Sequence, residues 1–154
     1  MTSLYKNTYE DFLRDQVRKH SHALTITLKN DCSSELLLNR RIRLEATIRH
    51  LLHRIARMCY RNRQKRYGLC IGCVTVIETG HYLDRLHAHL ALACPVGMKE
   101  DQFQATVLLA VKRCHSLGTQ GALKRITDDA GWASYMAKDG SEAYSPQCSQ
   151  RAKP

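Results

Sequence analysis

Two histidines separated by one residue are the first feature whose spacing suggests chemistry. His87 and His89 lie in the apolar segment LHAHLAL, residues 86–92. Side chains alternate along a strand, so both imidazoles are expected on one face, roughly 7 Å apart, with the Leu and Ala side chains on the other. Imidazoles at this spacing can converge on one cation. The alternative is a histidine pair on an exposed strand that binds nothing.

Glu78 is the best candidate for a third metal ligand. It ends the apolar segment LCIGCVTVIE, residues 69–78, which is expected to pair with the histidine strand as a hairpin. A carboxylate with two imidazoles suits Mn²⁺ or Mg²⁺ and leaves coordination positions for water or a phosphate oxygen. In the hairpin turn, His81 and Tyr82 can also approach such a site.

A tyrosine and a lysine near the end of the sequence form a second candidate group. In WASYMAKDG, Tyr135 and Lys138 are three positions apart and share one face of the expected helix. A tyrosine hydroxyl is a poor nucleophile until it is aimed at a phosphorus that a metal has polarised. Lys138 can orient the phosphate or stabilise developing charge. The alternative is that Tyr135 packs with Trp132 in the core and that Lys138 is a solvated charge.

The remaining sequence has to supply the elements that position these groups. Hydrophobic periodicity predicts strands over 23–28, 69–78, 86–92 and 122–127, and helices over 35–66, 99–118 and 129–139. Their order, β-α-β-β-α-β followed by a helix, is the ferredoxin-like split βαβ pattern of α+β proteins. An antiparallel sheet is expected, with two helices on one face. The other face is expected to be open, with the histidines projecting from it.

Length and composition indicate one globular domain. It is expected to cover residues 1–140, with an arm or helix over residues 1–20 and a loose polar tail over residues 141–154. The sequence has no apolar run long enough for a membrane span and no signal-peptide core. Its 7 cysteines show no framework spacing and are interpreted as reduced thiols of a cytoplasmic protein.

The charge balance predicts a polyanionic partner. Lys and Arg number 24 against 14 Asp and Glu, for a formal net charge of +10. That surplus exceeds what a small domain needs for solubility. Nucleic acid is the most common polyanionic partner of such a protein.

Three segments together resemble the motifs of one known family. LHAHLAL is similar to the histidine–hydrophobic–histidine motif that names the HUH endonucleases, and SYMAKDG to their tyrosine motif in its Y-x-x-K form. ALTITL resembles the first-strand motif of the rolling-circle replication initiators of that family. The motifs occur in the family's order, and the resemblance covers roughly residues 22–140.

The resemblance implies an enzyme that nicks and rejoins single-stranded DNA at an origin or hairpin and so initiates rolling-circle replication. Tyr135 would attack the scissile phosphate and become 5′-phosphotyrosyl, with Lys138 assisting. The Mn²⁺ or Mg²⁺ ion would be held by His87, His89 and Glu78. Expected DNA contacts are two threonines on the histidine face of the first strand and the basic run ending the long helix: Thr25, Thr27, Arg61, Arg63, Lys65 and Arg66. The other arginines of that helix are expected to be mostly solvated.

Two other functions stay open. A single tyrosine in a short chain also resembles the one-tyrosine transposases of the same family. The second alternative is a non-catalytic module that binds single-stranded nucleic acid, although aromatic residues make up only 6% of the chain. The sequence has no P-loop motif G-x-x-x-x-G-K-[ST], so a replication initiator of this kind is expected to work with a separate helicase.

Overall fold

A computed structural model describes residues 3–32, 34–79, 85–118 and 122–153, with side chains from Thr8 onward. In these ranges the helices are α1 (Ser3–Val17), α2 (Leu37–Tyr60), α3 (Asn62–Tyr67), α4 (Glu100–Lys112) and α5 (Asp129–Ala137). The strands are β1 (His22–Thr27), β2 (Cys73–Thr79), β3 (Leu86–Leu92) and β4 (Ala122–Arg125). Two short 3-10 turns follow, at Ser141–Ala143 and Pro146–Cys148. His81 and Tyr82 of the expected hairpin turn lie outside the described residues.

The four strands form one antiparallel sheet in the order β2-β3-β1-β4. The chain passes from β1 through α2 to β2, and β3 later enters between these two strands. In the same way it passes from β3 through α4 to β4, on the far side of β1. These are the two split βαβ connections. The predicted α+β fold with an antiparallel sheet is confirmed.

One face of the sheet packs against α2 and α4, which confirms the predicted two-helix layer. Leu24 and Ile26 of β1 and Leu90 of β3 point to this face because side chains alternate along each strand. The helices contribute buried side chains at helical spacing: Leu44, Ile48, Leu51 and Ile55 from α2, and Phe103, Val107 and Ala110 from α4. Each large apolar side chain buried here contributes about 1.5–3 kcal/mol.

The opposite face is not open, which corrects the expectation for this surface. α1 and α5 pack together there and bury Val74 and Val76 of β2 and Ala91 of β3. Leu13 of α1 and Met136 of α5 are both fully buried in this second cluster. The segment expected as an arm or helix is therefore a helix, and it belongs to the second layer.

The helix expected over residues 35–66 is in fact two helices. α2 ends at Tyr60, and Arg61, at a φ of 52°, separates it from α3. A positive φ is uncommon for a residue other than glycine. The helical pattern continues on both sides of Arg61, so periodicity alone could not reveal the break. Gly68 ends α3 in the left-handed conformation. No helix in the described ranges is long and apolar enough to cross a membrane.

The tail expected to be loose is instead packed along β2. The backbone groups of Cys73 and Gln150 exchange two hydrogen bonds of 2.8 Å, and the Ser145 N–H donates to the Thr75 carbonyl oxygen at 3.0 Å. Ser145 is fully buried, and its hydroxyl donates to Glu45 Oε1 of α2 at 2.9 Å. β2 is an edge strand of the sheet, and its unpaired backbone groups need partners. The polar composition of residues 141–154 thus provides hydrogen bonds to this edge.

A buried ion pair connects the end of β1 to α2 and β3. The Nε and Nη2 of Arg40 each donate to a different carboxylate oxygen of Asp31 at 2.7 Å. The Asp31 side chain is 0% exposed and also accepts the Leu86 backbone N–H at 2.7 Å. The two hydrogen bonds from Arg40 match the geometry of the carboxylate. The bond from the Leu86 N–H to Asp31 holds the first residue of β3 in place.

Several arginines of α2 have protein partners, although most arginines of this helix were expected to be solvated. Arg40 is 2% exposed. Arg41 donates to the carbonyl oxygens of Glu142 and Tyr144 at 3.0 and 3.2 Å, and so contacts the C-terminal segment. Arg43 pairs with Glu35 at 3.0 Å. These partners are distant in sequence or lie before the helix, so the helical pattern gave no sign of them.

Removing the buried carboxylate should destabilise the fold strongly. We expect Asp31→Ala to lower the free energy of unfolding by about 3–5 kcal/mol, because the Arg40 guanidinium would stay buried without this carboxylate. Urea unfolding followed by circular dichroism measures this loss. Glu100→Ala removes one partner of the exposed Arg125–Glu100 pair and should cost less than about 1 kcal/mol. Equal losses in the two variants would contradict the role of the Asp31–Arg40 pair.

The same pair predicts a pH dependence. Hydrogen bonds from Arg40 hold the pKa of the Asp31 carboxyl below its usual value, and they outweigh the opposing effect of burial. The stabilisation is therefore complete above the unfolded pKa of about 3.9 and is lost as the pH falls through the lower folded value. Wild-type stability should fall in this acidic range, and the fall should be smaller in Asp31→Ala.

Candidate active site

Three segments distant in sequence meet at one end of the sheet. Glu78 and His87 are direct partners in the β2–β3 register, so their Cβ atoms lie about 4.5–5.5 Å apart. His89, two residues along β3, shares their face and is 3% exposed. The Tyr135 ring of α5 lies against the His89 ring, with 5.0 Å between the ring centroids. The predicted grouping of histidine, glutamate and tyrosine side chains is thus present in the structure.

The His89 ring is fixed by contacts on both nitrogens. Its Nδ1 lies 2.9 Å from the Thr25 hydroxyl of β1, and its Nε2 lies 3.2 Å from Glu78 Oε1. Neither Nε2 nor Oε1 has a hydrogen-bond partner in the described part of the protein, although both atoms are buried. When Nδ1–H donates to Thr25, the Nε2 lone pair faces a carboxylate oxygen. In this tautomer the two facing acceptors need a cation between them, whereas in the other tautomer Nε2 carries the proton and faces Glu78 Oε1.

The donor set fits a divalent cation, although the ligands are not yet gathered around one point. A carboxylate oxygen and an imidazole nitrogen suit Mn²⁺ or Mg²⁺. His87, opposite Glu78 and half-buried, is the nearest further imidazole in the register. Within the described ranges, no group of three His, Cys, Asp or Glu side chains is already arranged to hold a metal ion. Glu78 and His89 are the preformed pair, and His87 would have to turn toward them.

Lys138 holds the other oxygen of Glu78. Its Nζ lies 2.8 Å from Glu78 Oε2. Burial raises the pKa of the Glu78 carboxyl, but His89 and Lys138 outweigh burial and the net pKa is lowered. Burial lowers the pKa of the Lys138 ammonium, but Glu78 reverses this effect and the net pKa is raised. Both groups therefore stay charged at neutral pH.

Tyr135 is accessible and lies beside this charge pair. Its residue is 43% exposed, and the Lys138 Nζ lies 4.3 Å from the centroid of its ring. Asp128 caps the start of this helix, since its side chain accepts the Gly131 N–H at 2.8 Å. Gly140, at a φ of 82°, follows the helix end. A tyrosine hydroxyl on this helix can reach a substrate from solvent.

Trp132 is the residue of the site that sequence reasoning did not assign to it. Its ring stacks on Tyr135 at an angle of 21° and a centroid distance of 5.3 Å. It also meets the His89 ring edge to face at 5.9 Å. The three-residue spacing between Trp132 and Tyr135 was a usable signal, since such side chains share one helical face. Trp132 does pack against Tyr135, and both rings also contact His89 of β3.

The two threonines differ in what they can contact. Thr25 is half-buried and bonds His89, so it positions the imidazole, and a DNA contact by Thr25 stays a prediction. Thr27 is 6% exposed. Gly118 approaches it so closely that a Cβ at residue 118 would lie 2.6 Å from Thr27 Oγ1. Thr27 therefore has little surface to offer a DNA strand.

The basic run predicted to contact DNA lies away from the site. Its members surround α3 and are exposed: Arg61, Arg63, Lys65 and Arg66. α3 leads into the beginning of β2, whereas Glu78 lies near its end, about 17 Å along the strand. The structure does not bring these residues to the candidate active site. Their contact with DNA stays a prediction about a separate surface.

Neither a family model, a curated protein nor a solved structure matches this chain. The strongest feature of the candidate site is the buried pair of His89 Nε2 and Glu78 Oε1, which face each other next to an accessible tyrosine.

Metal binding at this pair should stabilise the protein. At a free Mn²⁺ concentration of 100 times the Kd, we expect a gain of about 2.7 kcal/mol. For a chain of this size, that gain raises the Tm by roughly 5–11 °C. Differential scanning fluorimetry with and without Mn²⁺ measures the shift.

The matched variants separate this site from surface histidines. Glu78→Gln and His89→Gln should lose most of the Mn²⁺-induced shift, whereas His53→Ala, an exposed histidine of α2, should keep it. Each variant is compared with itself, so differences in basal stability cancel. A full shift in His89→Gln would exclude His89 as a ligand.

Proposed function

We propose that this protein is a metal-dependent tyrosine endonuclease of the HUH type that nicks and rejoins single-stranded DNA. The observation that carries the proposal is the meeting of Glu78, His89 and Tyr135 from three different elements. The Tyr135 and His89 rings lie 5.0 Å apart, beside the buried acceptor pair. A core-packing role alone would not account for an exposed tyrosine beside a buried histidine–carboxylate pair.

The reaction assigned to Tyr135 is a transesterification at phosphorus. Its Oη forms a bond to the scissile phosphate as the bond from phosphorus to the 3′ oxygen breaks. The tyrosine hydroxyl loses a proton, and the departing 3′ oxygen gains one, so a free 3′-OH and a 5′-phosphotyrosine result. No net hydrolysis occurs, and the reverse attack by a 3′-OH rejoins the strand. A free 3′-OH can also prime rolling-circle replication.

The metal assigned to the site is Mn²⁺ or Mg²⁺, held by Glu78 and His89 with His87 as the third ligand. When bound, it would polarise a phosphate oxygen and so favour attack at phosphorus. Thr25 keeps the His89 ring in the orientation that presents Nε2 to this position. The carboxylate of Glu78 stays ionised at neutral pH, as a ligand must.

Lys138 and Trp132 are assigned supporting roles. The Lys138 ammonium lies next to both the Tyr135 ring and Glu78, where it can bind a non-bridging phosphate oxygen. Trp132 stacks on Tyr135 and limits the positions that the nucleophile can adopt. Both residues act on the same small volume as the acceptor pair.

Single-stranded DNA at an origin or hairpin is the proposed substrate, and a separate helicase would supply it in single-stranded form. The proposed location is the cytoplasm, where reduced thiols persist. All seven cysteines are free in the structure, which is consistent with that compartment.

The direct test is a covalent adduct. A pool of single-stranded oligonucleotides is incubated with the protein and Mn²⁺ and then run on a denaturing gel. We expect a band of increased mass that is lost in Tyr135→Phe and after chelation of the metal, because both the nucleophile and the cation are required. Tyr67→Phe removes an exposed hydroxyl far from the site and should leave the band unchanged.

The outcome also separates the proposal from a non-catalytic binding module. Salt-sensitive DNA binding without an adduct from any member of the pool would favour the module. An adduct that persists in Tyr135→Phe but is lost in Tyr144→Phe would identify Tyr144 of the C-terminal segment as the nucleophile.

Lys138 gives a graded test of the same proposal. Lys138→Gln should slow adduct formation by about 10²–10³-fold, since one preorganised positive group is removed from the reacting phosphate. Single-turnover kinetics at saturating oligonucleotide measure the effect, with Lys124→Gln on β4 as the charge-matched control. Equal rates of adduct formation for the two variants would show that Lys138 does not act on the reacting phosphate.

A further inference from the structure

A cleft between α2 and the end of α4 concentrates unpaired positive charge on the helix layer of the protein. It encloses about 370 Å³ and is lined by His50, His53, Arg54, Arg57, Met58 and Arg113. We call it the basic cleft. None of its lining residues is acidic. It lies on the α2–α4 side of the sheet, whereas the candidate active site lies on the α1–α5 side.

The arginines of α2 divide into two groups along the helix. In its first turns, Arg40, Arg41 and Arg43 pair with Asp31, Glu45 and Glu35, respectively. In its second half, Arg54 and Arg57 face the cleft. Among the described residues, no carboxylate forms an ion pair with Arg54, Arg57 or Arg113. Three arginines that pair with no carboxylate of the described residues therefore line the basic cleft: Arg54, Arg57 and Arg113.

Spacing and local contacts hold these groups toward one volume. His50, Arg54 and Arg57 lie four and three positions apart, so they form a stripe on one face of α2. The Arg54 Nη2 donates to His50 Nε2 at 3.1 Å, which keeps both side chains together. The Arg54 Nε is buried and has no hydrogen-bond partner in the described part of the chain. An anionic oxygen entering the cleft would find guanidinium donors already oriented.

The cleft adjoins a second cleft that α3 helps to line. His53 lines it and also lines a neighbouring polar cleft with Gln64 and Gly68 of the α3 region. The exposed basic residues around α3 follow α2 directly in the chain: Arg61, Arg63, Lys65 and Arg66. Basic donors spaced along successive helices fit a chain of phosphates better than a single small anion.

We propose that the basic cleft binds the phosphodiester backbone of nucleic acid at a second contact, separate from the candidate active site. The identification of that strand as DNA flanking the nicked position rests on the proposed function. The two contacts lie on opposite faces of the sheet, so the strand in the cleft is not the segment being cut. Arg57 and Arg113 are the principal phosphate ligands, and the α3 residues prolong the contact.

Salt dependence tests the cleft independently of catalysis. Arg57→Ala/Arg113→Ala is compared with Arg14→Ala/Arg18→Ala, which removes the same charge from the α1 side of the protein. Binding of a fluorescent single-stranded oligonucleotide is measured by anisotropy at several salt concentrations, with chelator present to prevent cleavage. In the cleft variant, the slope of log K against log salt should become shallower by about 1.4, because each lost phosphate contact contributes about 0.7 for single strands. The control should keep the wild-type slope.

The outcomes distinguish the second contact from the nuclease itself. Equal slopes for the two double variants would overturn the basic cleft as a nucleic-acid contact, even if the wild-type protein forms a covalent adduct. A shallower slope in the cleft variant alone supports it, even if the wild-type protein forms no adduct and the nuclease proposal fails. If the cleft proposal and the nuclease proposal are both correct, the cleft variant should still form the covalent adduct at saturating oligonucleotide. Tyr135 and its neighbours are unchanged in that variant.

Discussion

The register of β3 is the constraint on which the rest of the structure depends. This strand has neighbours on both sides, and each of its residues has one permitted face. Ala88 and Leu90 fill the core between the sheet and α2–α4, so His87 and His89 must point the other way. A slip of one residue would place imidazoles in the apolar core and leucines in the site. Asp31 pins the start of the strand through the Leu86 amide, at the residue next to His87.

The two faces of the sheet carry different tasks. The α2–α4 face is apolar and supplies most of the buried surface. The other face is shared between packing, where α1 and α5 cover Val74 and Val76, and polar chemistry at Glu78 and His89. Thr25 contacts His89 Nδ1 and Lys138 contacts Glu78 Oε2, which leaves His89 Nε2 and Glu78 Oε1 facing each other. The proposed cation would bind between these two atoms.

Local pattern predicted the elements well, and contacts between distant segments less well. Alternation placed His87 and His89 on one face, and a three-residue spacing placed Tyr135 beside Lys138, because both follow from the geometry of a single element. The covering of the second face by α1, the break at Arg61 and the pairing of Arg40 with Asp31 depend on packing across the chain. Periodicity does not encode such pairings. The tail was misjudged for a related reason, since polar side chains that hydrogen-bond a strand edge look like those of a free terminus.

Residues 143–150 hydrogen-bond to the edge of β2, so the C-terminal segment affects the stability of the candidate site. β2 is held by β3 on one edge and by this segment on the other, and it carries Glu78. The Phe12 ring of α1 also contacts the Tyr144 ring edge to face, with 5.5 Å between the ring centroids. α1 therefore packs against the same segment. The second layer and the C-terminal segment are thus expected to open together, once the contacts of this segment with Arg41 and Glu45 of α2 are broken. Amide hydrogens of β2 would then exchange with solvent at a rate set by release of the chain end, faster than those of β1, which is flanked by β3 and β4.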